Sequence, residues 1–202
     1  MGRILAESGC SSKASAGARR FFSCHAHVLR CSLVTMEYSF CPKCGAALAS
    51  RSIKASEPDR LVCQGCDFIF YLDPKVAVGT IISTDEGIVL LKRAIEPAYG
   101  KWVFPGGLVD RGERVEDAAI RETREEACLD VRLTGLLKIY SYAEYPVIII
   151  VYTAEVIGGR LAAGDETLEA RCYPSAAIPW PELAFPSTVE ALRDFLQTPV
   201  KG

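Results

Sequence analysis

The chain has 202 residues, of which 50% are hydrophobic and 24% are charged, and its formal net charge is −2 at pH 7. The length fits one large domain, or a compact domain with a small appendage. The composition is that of a soluble globular protein and excludes a disordered or fibrous one. The longest unbroken apolar run, at residues 147–152, is far shorter than the roughly 20 residues of a membrane helix, so no membrane-spanning segment is expected. No overall basic excess is present, which argues against nucleic acid as a partner.

Residues 1–35 differ from the rest of the chain in charge, with five basic side chains against a single acid, Glu7. Their Arg-, Ser-, Ala- and Cys-rich composition is typical of an organelle transit peptide, and they lack the apolar core of a secretory signal. The alternative is a disordered tail, or a misassigned start ahead of Met36. We therefore expect a cytoplasmic protein, or organelle import if the leader is genuine. Both histidines, His25 and His27, lie here, which excludes a Ser-His-Asp or Cys-His hydrolase in the remainder.

Four of the nine cysteines form two Cys-x-x-Cys pairs, 18 residues apart: Cys41 with Cys44, and Cys63 with Cys66. This spacing is typical of a four-cysteine zinc site, and four thiolates leave no open coordination position, so the Zn²⁺ is expected to be structural. Residues 36–73 are therefore predicted to form a zinc ribbon that needs the metal to fold. Two redox motifs are the alternative. The ribbon could bind a partner or nucleic acid, or cap the next domain.

Apolar periodicity predicts the elements that follow. Runs of β-branched residues indicate strands over residues 76–83, 88–93 and 147–156. A helical period predicts a helix over residues 115–127, with Val115, Ala118 and Ala119 on its buried stripe, and residues 187–196 read as a second helix.

Three glutamates, Glu122, Glu125 and Glu126, stand at helical spacing on one face of the first predicted helix. Like charges on one face destabilise a helix unless a cation lies there, and carboxylates suit Mg²⁺ or Mn²⁺. Upstream, Gly106 and Gly107 allow a ligand to approach the backbone closely. A glutamate-rich helix alone is also compatible with an ordinary solvated face.

The complete series is more specific, because it resembles the Nudix box over 23 residues. That box is matched by Gly107, Glu113, Arg121, Glu122, Thr123, Glu125, Glu126, Cys128 and Leu129 at the required intervals. The resemblance implies an α/β/α sandwich with a mixed sheet over residues 74–198, and hydrolysis of a nucleoside diphosphate linked to another moiety. It further implies that Glu122, Glu125, Glu126 and the Gly106 carbonyl hold Mg²⁺. Glu113 would assist through hydrogen bonds or water, and Arg121 would orient the glutamates.

Three positions depart from the usual pattern. Cys128 stands where glycine closes the helix in the left-handed conformation, so it should cost stability. Thr123 replaces an aliphatic residue, and Arg114 stands where Ser or Thr commonly caps the helix. None of the three removes a carboxylate.

The general base varies within this family, and Glu166 and Glu169 are the candidates outside the box. We prefer Glu169, because it is expected to precede a strand and to reach the metal face. Trp102, Tyr140 and Tyr142 are candidates for stacking on a nucleobase or flavin. Packing in the core is the alternative for each aromatic residue.

A ribbon ahead of the box also occurs in NADH pyrophosphatases, but their Ser-Gln-Pro-Trp-Pro-Phe-Pro array is missing at residues 139–146. The chain is more similar to the FAD pyrophosphatase type, through residues 73–75, 92–93 and 94–100. This resemblance favours an FAD-like dinucleotide or ADP-ribose, cleaved to AMP and a phosphorylated product. NADH hydrolysis and ligand sensing without catalysis are the alternatives. The sequence does not report the oligomeric state, and the resemblance implies only that a homodimer is common in the family.

Overall fold

The computed structural model describes residues 38–143 and 145–197. The expectations for residues 1–35 concern a segment outside these ranges. Within them, no helix is both long enough and apolar enough to cross a membrane.

The first part of the described chain is a small antiparallel sheet of three strands. These are β1 (Leu48–Arg51), β2 (Arg60–Cys63) and β3 (Ile69–Phe70), paired in that order. Such a sheet buries few side chains, with Val62 and Cys63 as its covered positions on β2. The ribbon therefore needs a further source of folding free energy, and the cysteines flanking its strands can supply it through a metal.

The four cysteine sulfurs lie within 4.8 Å of one another. Cys41 Sγ is 3.9 Å from Cys66 Sγ, and Cys44 Sγ is 3.4 Å from Cys63 Sγ. Four sulfurs about 2.3 Å from one tetrahedral zinc ion stand roughly 3.8 Å apart, so the cluster has the dimensions of a Zn²⁺ site. The arrangement agrees with the predicted zinc ribbon.

The second part is a mixed sheet of six strands. Its strands are β4 (Lys75–Thr84), β5 (Gly87–Arg93), β6 (Trp102–Val103), β7 (Leu129–Tyr142), β8 (Tyr145–Gly159) and β9 (Thr167–Tyr173). Strands β4 and β8 pair in parallel, and β7 adds to β8 in the antiparallel direction. Strand β5 is antiparallel to β4, β6 and β9. The three strands predicted from the sequence are present, and β8 extends beyond its predicted ends.

Two helices, α1 (Val115–Ala127) and α2 (Pro186–Gln197), cover opposite faces of this sheet. Val78 of β4 belongs to the same apolar cluster as Ala118 and Ala119 of α1. Ile81, on the other face of β4, belongs to a cluster with Ala191 and Leu192 of α2. Because side chains three apart on a strand point to opposite faces, the sheet lies between the helices. The α/β/α sandwich is therefore confirmed.

The ends of α1 agree with the departures noted in its sequence. Arg114 precedes the helix in an extended conformation and makes no side-chain capping hydrogen bond. Cys128 closes the helix with φ 56° and ψ 28°, which is left-handed, and its N–H donates to the Arg124 carbonyl. A non-glycine residue costs free energy there, because its Cβ approaches the backbone carbonyl.

We expect the purified protein to contain about one zinc ion per chain and the variant Cys63→Ser to lose it, because three thiolates bind zinc less tightly than four. The thermal transition of the ribbon should weaken or disappear. Metal analysis and calorimetry measure both effects. Cys172→Ser is the matched control, since this cysteine is half-buried on β9. Zinc retained in Cys63→Ser would contradict the four-cysteine site.

Replacing Cys128 with glycine should stabilise the protein, because glycine adopts the left-handed conformation without a Cβ penalty. A gain of ~1 kcal/mol raises Tm by roughly 2–4 °C in a domain of this size. Thermal denaturation measures the shift. Cys128→Ala removes the thiol but keeps the strain, so it should not show the gain. Equal Tm values for the glycine and alanine variants would refute this account of the helix end.

Candidate active site

The site is formed where α1 packs beside a loop that is hydrogen-bonded along β4. The Thr80 N–H donates to the Pro105 carbonyl, and the Val78 N–H donates to the Gly107 carbonyl, each at 2.9 Å. The residue between them, Gly106, instead faces the helix and donates its N–H to Glu126 Oε2 at 2.9 Å. The loop therefore connects the strand to the carboxylates of α1.

Gly106 is required by space, and Gly107 lies directly against a carboxylate of the site. A Cβ on Gly106 would lie 2.2 Å from the Val78 carbonyl oxygen, which is backbone and cannot move aside. A Cβ on Gly107 would lie 2.4 Å from Glu122 Oε2. Glu122 and Glu126, one helical turn apart, thus direct their carboxylates to the same short backbone segment.

Arg121 is the cation that holds the acidic residues in place. Its Nε and Nη2 each donate at 2.9 Å to one oxygen of Glu113, and its Nη1 donates to Glu122 at 2.8 Å and to Glu125 at 3.0 Å. The Arg121 hydrogen bonds lower the pKa of Glu113 to about 2, so that carboxylate is ionised near neutral pH. The predicted pairing of Arg121 with nearby carboxylates is present.

Burial acts on the other carboxylates in the opposite direction. It raises the pKa of Glu126 to about 7, because desolvation outweighs the hydrogen bond from the Gly106 N–H, and the charge of Glu122 adds to the effect. Burial also raises the pKa of Glu122, against the pull of Arg121. Ionising these two carboxylates costs free energy, because they are partly removed from water and only partly neutralised by neighbouring cations. A bound divalent cation would lower that free-energy cost.

The three box glutamates do not all converge in this conformation. Within the described residues, only the four cysteines bring three or more ligand atoms within 4.8 Å of one another. Glu125 is 48% exposed and is held by Arg121, whereas Glu122 and Glu126 lie at the glycine loop. The sequence placed all three on one helix face, and the tertiary structure divides them into an inner pair and an outer residue.

A second loop, residues 160–166, closes the C-terminal end of α1. The N–H groups of Gly164 and Asp165 donate to the carbonyls of Glu126 and Glu125. Glu166 follows in a left-handed conformation, with φ 57°. Its charge raises the pKa values of Glu122 and Glu126, so this carboxylate lies within electrostatic reach of the inner pair.

Glu169, which we preferred as the base from the sequence, lies within β9 and not ahead of it. It stands opposite Lys92 of β5 and forms an ion pair with Arg171 of its own strand. Its role as base stays a prediction. One feature of the sequence favours Glu166: Gly164 and Asp165 directly before it are typical of a turn, which places Glu166 at a loop and not inside a strand.

The aromatic candidates differ in exposure. Trp102 and Tyr140 are each 3% exposed and belong to the core on the α2 side, which leaves no free ring face for a substrate. The Tyr140 hydroxyl donates to Asp194 at 2.8 Å. Tyr142 is half-buried and meets Tyr145 edge to face, with centroids 6.1 Å apart. Core packing thus describes Trp102 and Tyr140, and stacking stays a prediction for Tyr142.

Sequence analysis missed one cation at the site. Arg93, the last residue of β5, donates from Nε to the Pro97 carbonyl at 3.0 Å and lies over the Phe185 ring, 5.1 Å from its centroid. Its charge acts on Glu126 and on Glu166. The Lys92-Arg93 pair at the strand end was visible in the sequence, but the folded chain alone shows which carboxylates it faces.

Comparison with known proteins agrees with this geometry. The NUDIX domain model matches residues 73–195, and the Nudix N-terminal zinc-ribbon model matches residues 39–72. The chain is 43% identical over 119 residues to the ADP-ribose pyrophosphatase of Methanocaldococcus jannaschii, covering 57% of this chain and 69% of that protein.

Two further similarities cover more of this chain. It is 27% identical over 134 residues to the NAD-capped RNA hydrolase NudC of Pseudomonas fluorescens, which covers 66% of this chain and 46% of that protein. This chain thus spans about half the length of that relative. A crystal structure of a NUDIX hydrolase from Nitrosomonas europaea superposes with a TM-score of 0.73 at 33% identity, covering 77% of this chain and 89% of that one.

The matching domain model covers more than half of the chain, and the structure places two box carboxylates and their arginine at the glycine loop. The chain therefore belongs to the Nudix hydrolase family and carries that family's N-terminal zinc ribbon.

Proposed function

We propose that this protein is a divalent-metal-dependent pyrophosphohydrolase that cleaves the diphosphate of ADP-ribose or of an FAD-like dinucleotide, giving AMP and a phosphorylated product. The observation that carries the proposal is the convergence of Glu122 and Glu126 on the loop of Gly106 and Gly107. Water is added across one P–O bond of the diphosphate bridge, so each phosphorus leaves as a phosphate ester.

The donor set fits Mg²⁺ or Mn²⁺. Carboxylate and carbonyl oxygens are hard ligands, and the described part of the site presents no sulfur or imidazole ligand. Glu122, Glu126 and the Gly106 carbonyl would hold the ion, and Glu125 would join them if Arg121 released it. When bound, the ion offsets the charge of the diphosphate and lowers the pKa of a bound water.

The chain's own residues then have separate tasks. Arg121 and Glu113 keep the carboxylates of α1 oriented through their paired hydrogen bonds. A carboxylate must also accept the proton of the attacking water. Glu166 is better placed for this than Glu169, because its charge acts on Glu122 and Glu126 while Glu169 is paired with Arg171. We therefore propose Glu166 as the proton acceptor, with Glu169 as the alternative.

The choice of substrate rests on two similarities. The archaeal relative, at 43% identity, is an ADP-ribose pyrophosphatase, which supports ADP-ribose. The resemblance in residues 73–75 and 92–100 to the FAD pyrophosphatase type supports FAD. NADH ranks lower, because the Ser-Gln-Pro-Trp-Pro-Phe-Pro array is missing. All three substrates contain the diphosphate of an ADP moiety. Hydrolysis is favoured over ligand sensing, because the chain keeps the complete set of box carboxylates.

Hydrolysis of ADP-ribose, FAD and NADH should be measured with Mg²⁺ for wild type and for Glu126→Gln. We expect AMP from ADP-ribose or FAD, and a loss of kcat of at least roughly 100-fold in the variant, because an amide cannot replace a carboxylate ligand. Product identity is read by chromatography. Equal rates for the two proteins would overturn the proposed function.

Two matched pairs sharpen this experiment. Glu116→Gln removes a half-exposed acid in the first turn of the same helix and should leave the rate unchanged. Glu166→Gln should reduce kcat more than Glu169→Gln does. The opposite ranking would return the role of proton acceptor to Glu169.

Stability in the absence of added Mg²⁺ should depend on pH through Glu126. Its folded pKa of about 7 lies above an unfolded value of ~4.3. The contribution of Glu126 to stability is therefore fully present below the unfolded value and is lost as the pH rises towards 7. Glu126→Gln has no ionisable group at this position, so its stability does not fall in this way as the pH rises. Its Tm should equal that of wild type near pH 4.5 and exceed it at pH 8 by at least ~2–4 °C, which corresponds to ~1 kcal/mol.

Thermal denaturation at the two pH values measures the difference, and Glu116→Gln again serves as the control. Identical Tm values of wild type and Glu126→Gln at pH 8 would show that the Glu126 carboxylate is not buried at a cost.

A further inference from the structure

Two threonine hydroxyls form a hydrogen-bonded pair where α1 meets β4. Thr80 Oγ1 lies 2.7 Å from Thr123 Oγ1, and both residues are fully buried. Thr123 Oγ1 also donates to the Ala119 carbonyl at 2.8 Å. A hydroxyl has one proton, so Thr123 uses its proton on Ala119 and accepts the proton of Thr80. The direction of the pair is thereby determined.

The contacts around this pair are apolar. On the helix, Ala119 and Ala127 stand one turn on either side of Thr123 and are fully buried. On the strand, Val78 and Ile82 flank Thr80 on the same face and are buried. Apolar contacts are not directional, so they favour the packing of α1 on β4 without choosing one position along the strand. The hydroxyl pair is directional, and a shifted helix would leave two buried hydroxyls unpaired.

Thr80 also contacts the other half of the site. Its N–H holds the Pro105 carbonyl at 2.9 Å, directly ahead of Gly106. One strand residue thus binds the glycine loop through its backbone and the carboxylate helix through its side chain. On α1, Thr123 directly follows Glu122 and lies three residues ahead of Glu126.

We infer that the Thr80–Thr123 hydroxyl pair is a positioning device, which sets the register of α1 on β4 so that Glu122 and Glu126 meet the Gly106 carbonyl at one cation. The inference rests on the proposed function. It assigns a role to Thr123, where this chain departs from the aliphatic residue of the Nudix box.

The test uses variants of the full, zinc-loaded chain that change the hydroxyls at nearly constant shape. They are Thr80→Val, Thr123→Val, the double valine variant and the double serine variant. Two quantities are measured, the Kd for Mn²⁺ from the electron paramagnetic resonance signal of free Mn²⁺, and Tm. Thr188→Val is the matched control, since Thr188 is a fully buried threonine of α2; we expect it to leave the Kd unchanged.

We expect Thr123→Val to raise the Kd about tenfold and to lower Tm more than Thr80→Val does, because Thr123→Val strands the Thr80 proton donor. The double valine variant should regain Tm relative to Thr123→Val, since no buried hydroxyl is left unpaired, but should keep the raised Kd. The double serine variant should lose Tm through its missing methyl groups and keep a Kd close to that of wild type.

A purely structural role predicts a different pattern, in which the Kd follows Tm through the series. Wild-type Mn²⁺ affinity in the double valine variant, or a raised Kd in the double serine variant, would overturn the inference. Wild-type protein that binds no Mn²⁺ would overturn the proposed function itself, and with it the inference. If wild type binds Mn²⁺, either of the two results for the double variants rejects only the role of the threonine pair and leaves the proposed function standing.

Discussion

The burial of negative charge at the contact between α1 and the loop of Gly106 and Gly107 is the constraint on which the site depends. Glu126 is removed from water and receives one backbone hydrogen bond, and its pKa rises to about 7. Such a carboxylate is costly in the protein alone. The folding free energy of the sheet and helices pays for this arrangement, and a divalent cation would recover part of it. Stability and metal binding are therefore coupled through the same carboxylates.

Arg121 shows how the protein tolerates this charge. It neutralises the outer carboxylates, Glu113 and Glu125, and also donates one hydrogen bond to Glu122 of the inner pair. A lysine could not replace it, because several of these hydrogen bonds come from the planar fork of the guanidinium group. The inner carboxylates remain partly uncompensated, which leaves them available to a metal. The ribbon differs from this site, since its small sheet buries few side chains and brings four thiol sulfurs within 4.8 Å of one another.

The local sequence was sufficient to predict the helices and strands whose apolar residues recur with a strong period. The helix at residues 115–127 was predicted with its exact bounds, since Val115, Ala118 and Ala119 mark the buried stripe. The cysteine spacing determined the ribbon, because two tight turns bring their sulfurs together irrespective of the rest of the fold. The left-handed end at Cys128 followed from its place in the box. The extent of β7 was not predicted, because its apolar residues follow no strict alternation and its pairing contains register shifts.

Residue identity and spacing thus determined the family, the ribbon, the carboxylate helix and the set of acidic residues available for metal. The tertiary structure decided which of them act together, because that depends on contacts between segments distant in sequence. It divided Glu122 and Glu126 from Glu125. It also placed the loop at residues 160–166 against the end of α1, where the charge of Glu166 acts on the inner pair. It also buried Trp102 and Tyr140 under α2, where composition alone could not distinguish core aromatics from a substrate platform.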